Sequence, residues 1–278
     1  MSGAITLVVT DLDGSLLDHH DYSYAPALAT LQLLEQLRIP VVFSSSKTRA
    51  EVLDLRQELG NEHPFIVENG AAVLVPQRYF LQQPDATSVL DEYWLHECAP
   101  NRDTWSAPLA HLRQQMPDSF IDFASAGDAG IARITGLPLE KARLANLREY
   151  SEPVQWLGND ANLQGFLDEL ASRGARVLRG GRFYTVTGDC DKGQAWQWLR
   201  EQYALAAGGD AVYDLAVGDG GNDVPMLELS HRALRIPATG RPLPELARSV
   251  GIIDVEGTGP DAWAQGVRIW LQSLYKGF

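Results

Sequence analysis

The sequence predicts an α/β protein, a parallel sheet with helices on both faces, interrupted by an inserted α+β segment. Three observations carry this expectation. Short apolar runs at residues 5–9, 40–43 and 65–67 alternate with helical spacings at 26–37 and 49–59. Each apolar run stops abruptly in a polar or Gly-containing stretch. The alternation breaks off near residue 85 and resumes after 187. The sheet domain is therefore expected as 1–84 plus 188–278, around an insert at 85–187.

The elements follow in order. Ile5, Leu7, Val8 and Val9 form a run without polar alternation, as in a strand buried on both faces. Pro26 suits a first helical turn, and Leu28, Leu31, Leu34 and Leu37 recur behind it. Val41, Val42 and Phe43 form a second strand, followed by a helix over 49–59 that Gly60 stops. Phe65, Ile66 and Val67 form a third, running into Glu68, Asn69 and Gly70. In the insert, residues 90–98, 138–149 and 162–173 read as helices, and 120–124, 131–134 and 154–157 as strands. Residues 175–178 and 182–186 read as a hairpin around Gly180 and Gly181. After it come a helix at 192–203, a strand at 212–217, a helix at 224–229 and a strand at 233–236. Helices at 242–249 and 260–275 finish the chain, the last with Trp263, Val267, Trp270, Leu271 and Leu274 on its apolar side.

Composition narrows the function. A chain of 278 residues, 45% hydrophobic and 21% charged, suits a globular protein of about two domains. Lys+Arg 23 against Asp+Glu 36 leaves a net charge of −13, which disfavours nucleic acid and anionic membrane as partners. No apolar run approaches the about 18 residues of a membrane span. The first residues lack the basic lead and apolar stretch of a secretory leader. Cys98 and Cys190 are too few for a disulfide scaffold. The six histidines are scattered without zinc-ligand spacing. The expectation is a cytoplasmic protein, monomer or homodimer, acting on a small molecule.

Some of the acid is concentrated. Asp11 and Asp13 lie two apart just beyond the first strand, where i and i+2 point the same way. Two such carboxylates repel unless a cation or a shared proton compensates, which suggests a Mg2+ site with one Asp free to attack. A plain polar turn is the alternative. Asp219 and Asp223 sit among Gly218, Gly220 and Gly221, after another buried strand. Glycines there let the backbone approach a ligand, and the twelve-residue spacing of a calcium loop is missing. Carboxylates from two strand ends suit Mg2+, which takes about six oxygens. Ser44, Ser45 and Ser46 precede a helix, where hydroxyls and N–H groups cradle a phosphoryl group or simply cap the helix. Lys47 shares that turn. Lys192 opens a helix, against the dipole preference, so a carboxylate or anion partner is expected. An attacking carboxylate, a screening cation and fixed donors are the parts of phosphoryl transfer.

Asp11-Leu12-Asp13-Gly14-Ser15-Leu16-Leu17, Ser45, Lys192 and Gly218-Asp219-Gly220-Gly221-Asn222-Asp223 come in this order along the chain. Together they resemble the four motifs of the haloacid dehalogenase-like phosphatases. The insert between the second and third motifs is similar to the cap of the Cof-type branch. Phe43-Ser44-Ser45-Ser46-Lys47-Thr48 departs from the Ala-Thr-Gly-Arg run common in that branch. With Glu68-Asn69-Gly70-Ala71, Gly181-Arg182-Phe183-Tyr184 and Cys190-Asp191-Lys192-Gly193, it resembles the mannosyl-3-phosphoglycerate phosphatase family.

The resemblance implies a Rossmann-like core with an α+β cap. It implies Mg2+-dependent release of phosphate from 2-O-mannosyl-3-phosphoglycerate through an aspartyl phosphate. A Cof-type sugar or cofactor phosphatase, a phosphomutase and a non-catalytic binding protein are the alternatives. By resemblance, Asp11 is nucleophile and metal ligand. Asp13 is general acid and then base, with its carbonyl on the metal. Ser45 and Lys192 hold the phosphoryl oxygens. Asp219 is a metal ligand and Asp223 supports that site. Asn222 orders the loop or touches phosphate. Ser46, Lys47 and Asn69 lie beside the core site and are expected to contact substrate. Arg179, Arg182 and Tyr184 are candidates for reading the rest of it, with Arg182 favoured because its fork fits a carboxylate.

Overall fold

The computed structural model describes residues 5–180 and 182–275. Strand β1 (Ile5–Thr10) leads through a short 3-10 turn into helix α1 (Leu28–Gln36). Then come β2 (Val41–Ser44), α2 (Arg49–Leu59), β3 (Phe65–Val67), β4 (Ala72–Pro76), β5 (Ser88–Leu90) and β6 (Tyr93–Glu97). The insert supplies α3 (Ser106–Gln115), β7 (Phe120–Asp122), α4 (Phe123–Thr135), α5 (Leu139–Asn146) and β8 (Glu152–Trp156). It continues with α6 (Asp160–Ser172), β9 (Arg176–Arg179) and β10 (Tyr184–Thr187). The chain ends with α7 (Lys192–Ala206), β11 (Val212–Gly218), α8 (Val224–Leu229), β12 (Arg232–Arg235), β13 (Ile252–Asp254) and α9 (Gly259–Tyr275).

The large sheet has nine strands in the order β13-β12-β11-β1-β2-β3-β4-β6-β5. From β13 to β3 the pairs are parallel, and β4, β6 and β5 add an antiparallel edge. Strand β1 is central and apolar because both of its faces are covered. Val8 joins the cluster with Leu34 of α1, Leu55 of α2 and Trp263 and Trp270 of α9. Leu7 and Val9 point the other way, to Trp196 and Leu199 of α7 and Met226 of α8. Period-two side-chain direction on a doubly buried strand produces this split. Acidic and serine residues at the ends of β1, β2 and β11 therefore meet along one edge of the sheet.

The second sheet is antiparallel, β7-β8-β10-β9. Trp105, Leu109 and Leu112 pack with Phe166, Leu170, Val154 and Val186, so α3 and α6 cover one of its faces. The hairpin of β9 and β10 is as expected. Gly181 of its turn lies outside the described residues.

Several expectations are corrected. Residues 90–98 form no helix but the end of β5 and all of β6, with Asp91 (φ 51) turning the chain between them. Tyr93 and Trp94 suit a pleated surface, and β6 pairs with β4. These strands carry the large sheet past residue 85, and on that ground we place the start of the insert after Glu97. Residues 131–134 lie in α4, not a strand. Asp122 ends β7 early by capping α4, its carboxylate accepting from Ser125 N at 2.8 Å. Residues 242–249 form no helix. Pro242 and Pro244 supply no N–H, and the amides of Ala247 and Arg248 donate to the Glu228 carboxylate instead. Of Leu28, Leu31, Leu34 and Leu37 only Leu34 is fully buried, while Leu28 and Leu37 are 40% and 38% exposed. Steps of three residues drift around a helix, which leaves residues nine apart on about opposite sides.

Candidate active site

The four motif segments converge at the carboxyl ends of β1, β2 and β11 and the start of α7. Asp11 follows β1, and its N–H donates to Val217 O at 2.9 Å, which fixes the first motif against β11. Asp11 is 6% exposed, and Lys192 and Asp223 are wholly buried. Lys192 Nζ stands 2.5 Å from Asp11 Oδ1 and 2.6 Å from Asp223 Oδ1. A lysine at a helix start is explained by these two carboxylates. Asp191 caps the same helix, accepting from Gln194 N at 2.9 Å.

Asp223 is held from both sides. Its other oxygen accepts from Asp219 N at 3.1 Å and Gly220 N at 3.0 Å, which closes the glycine-rich loop. Asp219 leans on the first motif. A Cβ on Gly14 (φ +85) would stand 2.7 Å from Asp219 Oδ2, so the position admits only glycine.

Asp11, Asp219 and Asp223 each offer an oxygen within 4.8 Å of the others. Burial raises the Asp11 carboxyl well above its ordinary range, helped by Asp223 and opposed by Lys192. Burial and Asp223 push Asp219 up to about 6. Three crowded carboxylates face one lysine, and all the donors are oxygens. That set fits a hard divalent cation, which offsets the repulsion. The Asp13 side chain is outside the triad. It forms an ion pair with Lys47 at 2.9 Å, and the Tyr22 ring lies 4.9 Å from the same ammonium. The pair with Asp13 raises the pKa of Lys47 against the effect of its burial.

The serine turn is shaped by its carbonyls. Ser45 O accepts from Asn69 N at 2.9 Å, and Lys47 O accepts from Glu68 N at 3.0 Å. Ser46 O accepts from Arg148 Nη2 at 3.1 Å. Three consecutive carbonyls are thus drawn to one side. Ser45 Oγ accepts from Lys47 N at 3.1 Å, which leaves its hydroxyl proton free to donate. Thr48 then starts α2 with a full capping box to Glu51. Asn69 (φ 60) reaches across to the fourth motif, its Oδ1 accepting from Asn222 Nδ2 at 3.1 Å.

The candidates on the insert are placed elsewhere. Arg179 and Tyr184 are directly paired across β9 and β10, and Tyr184 pairs with Val154. Directly opposed residues share a face. Val154 packs under α3 and α6, so Arg179 and Tyr184 share its face of the sheet, with Arg179 exposed at the strand end. Arg182 donates to Ile134 O at 3.4 Å and Thr135 O at 3.0 Å, engaging its fork with the end of α4. A helix terminus with unpaired carbonyls attracts a cation as a carboxylate does. Arg176 of the same hairpin reaches the core, donating to Cys190 O and Asp191 Oδ2 at 3.2 Å each.

Sequence reasoning missed Glu68 as a contact residue. Its buried carboxylate accepts from Glu149 N at 2.7 Å, Ser151 N at 2.8 Å and Ser151 Oγ at 2.6 Å. A charged residue directly after a fully apolar strand was the available signal. Nothing in the sequence marked Arg148 or Ser151 as its partners.

Comparison with known proteins agrees with this geometry. A family model described as haloacid dehalogenase-like hydrolase matches residues 8–92. A glucosyl-3-phosphoglycerate/mannosyl-3-phosphoglycerate phosphatase of Methanococcoides burtonii is 34% identical over 266 residues, covering 94% of this chain and 95% of that protein. A protein of the same name from Persephonella marina is 32% identical over 275 residues, covering 98% and 99%. A solved haloalkanoate-superfamily phosphatase of Bacteroides thetaiotaomicron superposes with a TM-score of 0.65 at 16% identity, over 97% of this chain and 95% of that one, which shows a shared fold. Among the described residues no helix is long and apolar enough to cross a membrane.

Proposed function

This chain belongs to the haloacid dehalogenase-like hydrolases and, within them, to the glucosyl-3-phosphoglycerate/mannosyl-3-phosphoglycerate phosphatase family, and from that premise we propose that it is a Mg2+-dependent phosphatase acting on mannosyl-3-phosphoglycerate. The glucosyl ester is the second substrate that the relatives' name suggests. The observation that carries the reading is the buried Lys192 between Asp11 and Asp223, beside Asp219.

Asp11, Asp219 and Asp223, with the Asp13 carbonyl, would hold Mg2+, which screens phosphoryl oxygens and so eases attack by an anion. Lys192 occupies Asp11 Oδ1, leaving Oδ2 to attack phosphorus. The bond from phosphorus to the glycerate oxygen breaks as the Asp11 Oδ2–phosphorus bond forms. Asp13 gives its proton to the departing alkoxide, which leaves as mannosylglycerate. The deprotonated Asp13 then takes a proton from water as the water oxygen attacks phosphorus. Inorganic phosphate leaves, the Asp11 carboxylate is restored and Asp13 is again protonated. Ser45 Oγ and Lys192 hold phosphoryl oxygens throughout, and Lys47 gains a second anionic partner besides Asp13. Ser46, Asn69 and Asn222 line the same turn and loop. Arg179, Arg182 and Tyr184 take no part in this scheme, given their placement.

Phosphate release from mannosyl-3-phosphoglycerate, glucosyl-3-phosphoglycerate and simple sugar phosphates, with Mg2+ and with EDTA, tests the proposal. A clear preference for a simple sugar phosphate would remove the substrate assignment and favour a broader Cof-type sugar phosphatase. Turnover unaffected by EDTA would remove the metal.

A further inference from the structure

The serine turn of the core is held by one residue of the insert. Of the three donors that take Ser45 O, Ser46 O and Lys47 O, two are backbone N–H groups of the core, at Asn69 and Glu68. The third is the Arg148 guanidinium, reaching Ser46 O at 3.1 Å from the segment between α5 and β8. Arg148 is itself fixed. Its Nη1 donates to Ser151 Oγ at 2.9 Å and lies 3.4 Å from Glu68 Oε2. Its side chain is only 9% exposed, and the Glu68 side chain is fully buried. Glu68 gathers the donors of residues 149–151, so the insert and the loop after β3 are clasped around one carboxylate.

This clasp has a directional consequence. A peptide unit whose carbonyl is drawn one way sends the N–H attached to it the other way. The N–H that shares a peptide with Ser46 O is that of Lys47, and it donates to Ser45 Oγ at 3.1 Å, while Thr48 N donates to Glu51 Oε2 at 2.9 Å, so holding Ser46 O sets the amide that holds the Ser45 hydroxyl. Ser46 is the middle unit, and its carbonyl has no core donor. The insert also meets the start of α2, where Thr48 Oγ1 donates to Leu144 O at 2.9 Å and Arg49 pairs with Glu149, but Arg148 is the insert residue that takes a carbonyl of the turn itself.

We propose that Arg148 is a positioning residue for the phosphate-binding turn, coupling the seating of the insert on the core, through the Ser46–Lys47 peptide, to the placement of the Ser45 hydroxyl. The proposal rests on the reading that the turn at Ser45–Lys47 receives the phosphoryl group. It would make a productive anion site dependent on a seated insert, because binding is stronger at pre-set donors.

The test uses the full chain with Mg2+ and inorganic phosphate as the probe, measured by calorimetry. Arg148→Met should weaken phosphate binding by about tenfold or more, as expected for losing a charged hydrogen bond that orients the site. Lys141→Met is the control. It breaks a different contact of insert and core, Lys141 Nζ to Asp54 Oδ2 at 2.7 Å, which takes none of the turn's carbonyls, and should leave phosphate binding unchanged. Arg148→Lys keeps the charge without spanning both Ser46 and Glu68, and should fall between wild type and Arg148→Met. It stands in for Arg148→Met if that variant does not fold. Phosphate binding by the Arg148 variants equal to wild type overturns the proposal, as does equal weakening by Lys141→Met. A wild type that binds phosphate but releases none from a sugar ester would defeat the functional reading alone.

Discussion

Lys192 Nζ lies 2.5 Å from Asp11 Oδ1 in a fully buried position, joining the start of α7 to the end of β1 across the sheet. The ammonium also holds Asp223, so one cation neutralises two buried carboxylates. Removing it leaves both uncompensated. Lys192→Met should lower the unfolding free energy by about 3–5 kcal/mol in metal-free protein. Phosphatase activity should fall about 100-fold or more. Urea titration and phosphate release check the two effects, and a variant as stable as wild type would contradict the ion-pair argument.

Gly14 backs Asp219 so closely that a methyl group has no room. Gly14→Ala should push Asp219 out of place and raise the Mg2+ concentration for half-activation by about tenfold, the usual scale for disturbing the support of a metal ligand. Calorimetric Mg2+ titration measures this. Unchanged metal affinity would separate Asp219 from the metal.

The Asp13 side chain, paired with Lys47, stands apart from the carboxylate triad. Asp13→Asn should slow release from a sugar ester by about 10²–10⁴-fold. With p-nitrophenyl phosphate, whose phenolate leaves without a proton, the loss in the first step should be much smaller. Equal loss on both substrates would assign Asp13 another task.

Arg182 is engaged by the end of α4, and the Arg179 guanidinium lies 6.0 Å from the Tyr184 ring beside it. Alanine at either position should leave KM within about threefold of wild type, while Arg182→Ala loses about 1 kcal/mol or less of stability. A tenfold rise in KM at Arg182 would return it to the substrate.

His63 contributes to the pH dependence of folding. Its Nδ1 lies 2.9 Å from Tyr79 Oη, and burial holds its pKa below the ordinary 6.5. On acidification the unfolded chain takes up this proton first. The stability at stake is fully present above 6.5 and is lost as pH falls through the lower native value. Urea midpoints followed downward from pH 8 should drop less steeply for His63→Gln than for wild type. Parallel curves would clear His63 of the effect.

The sequence by itself determined the strand ends and the residue types that gather there. β1, β2, β3 and β11 are short apolar runs whose burial on both faces is written locally; Asp11, Ser45 and Asp219 follow β1, β2 and β11, and Lys192 opens α7. Such signals are local because period and punctuation act over a few residues. Only the tertiary structure decided which partners those residues meet. The pairing of β6 with β4 overrode a helical reading of residues 90–98. The register of β8, β9 and β10 put Arg179 and Tyr184 on the Val154 face of the small sheet. The clasp of Glu68 and Arg148 joins residues 80 apart, of types found in any solvated loop. What turns them into a buried link is the seating of the insert on the core, and long-range packing of that kind leaves no period in the chain.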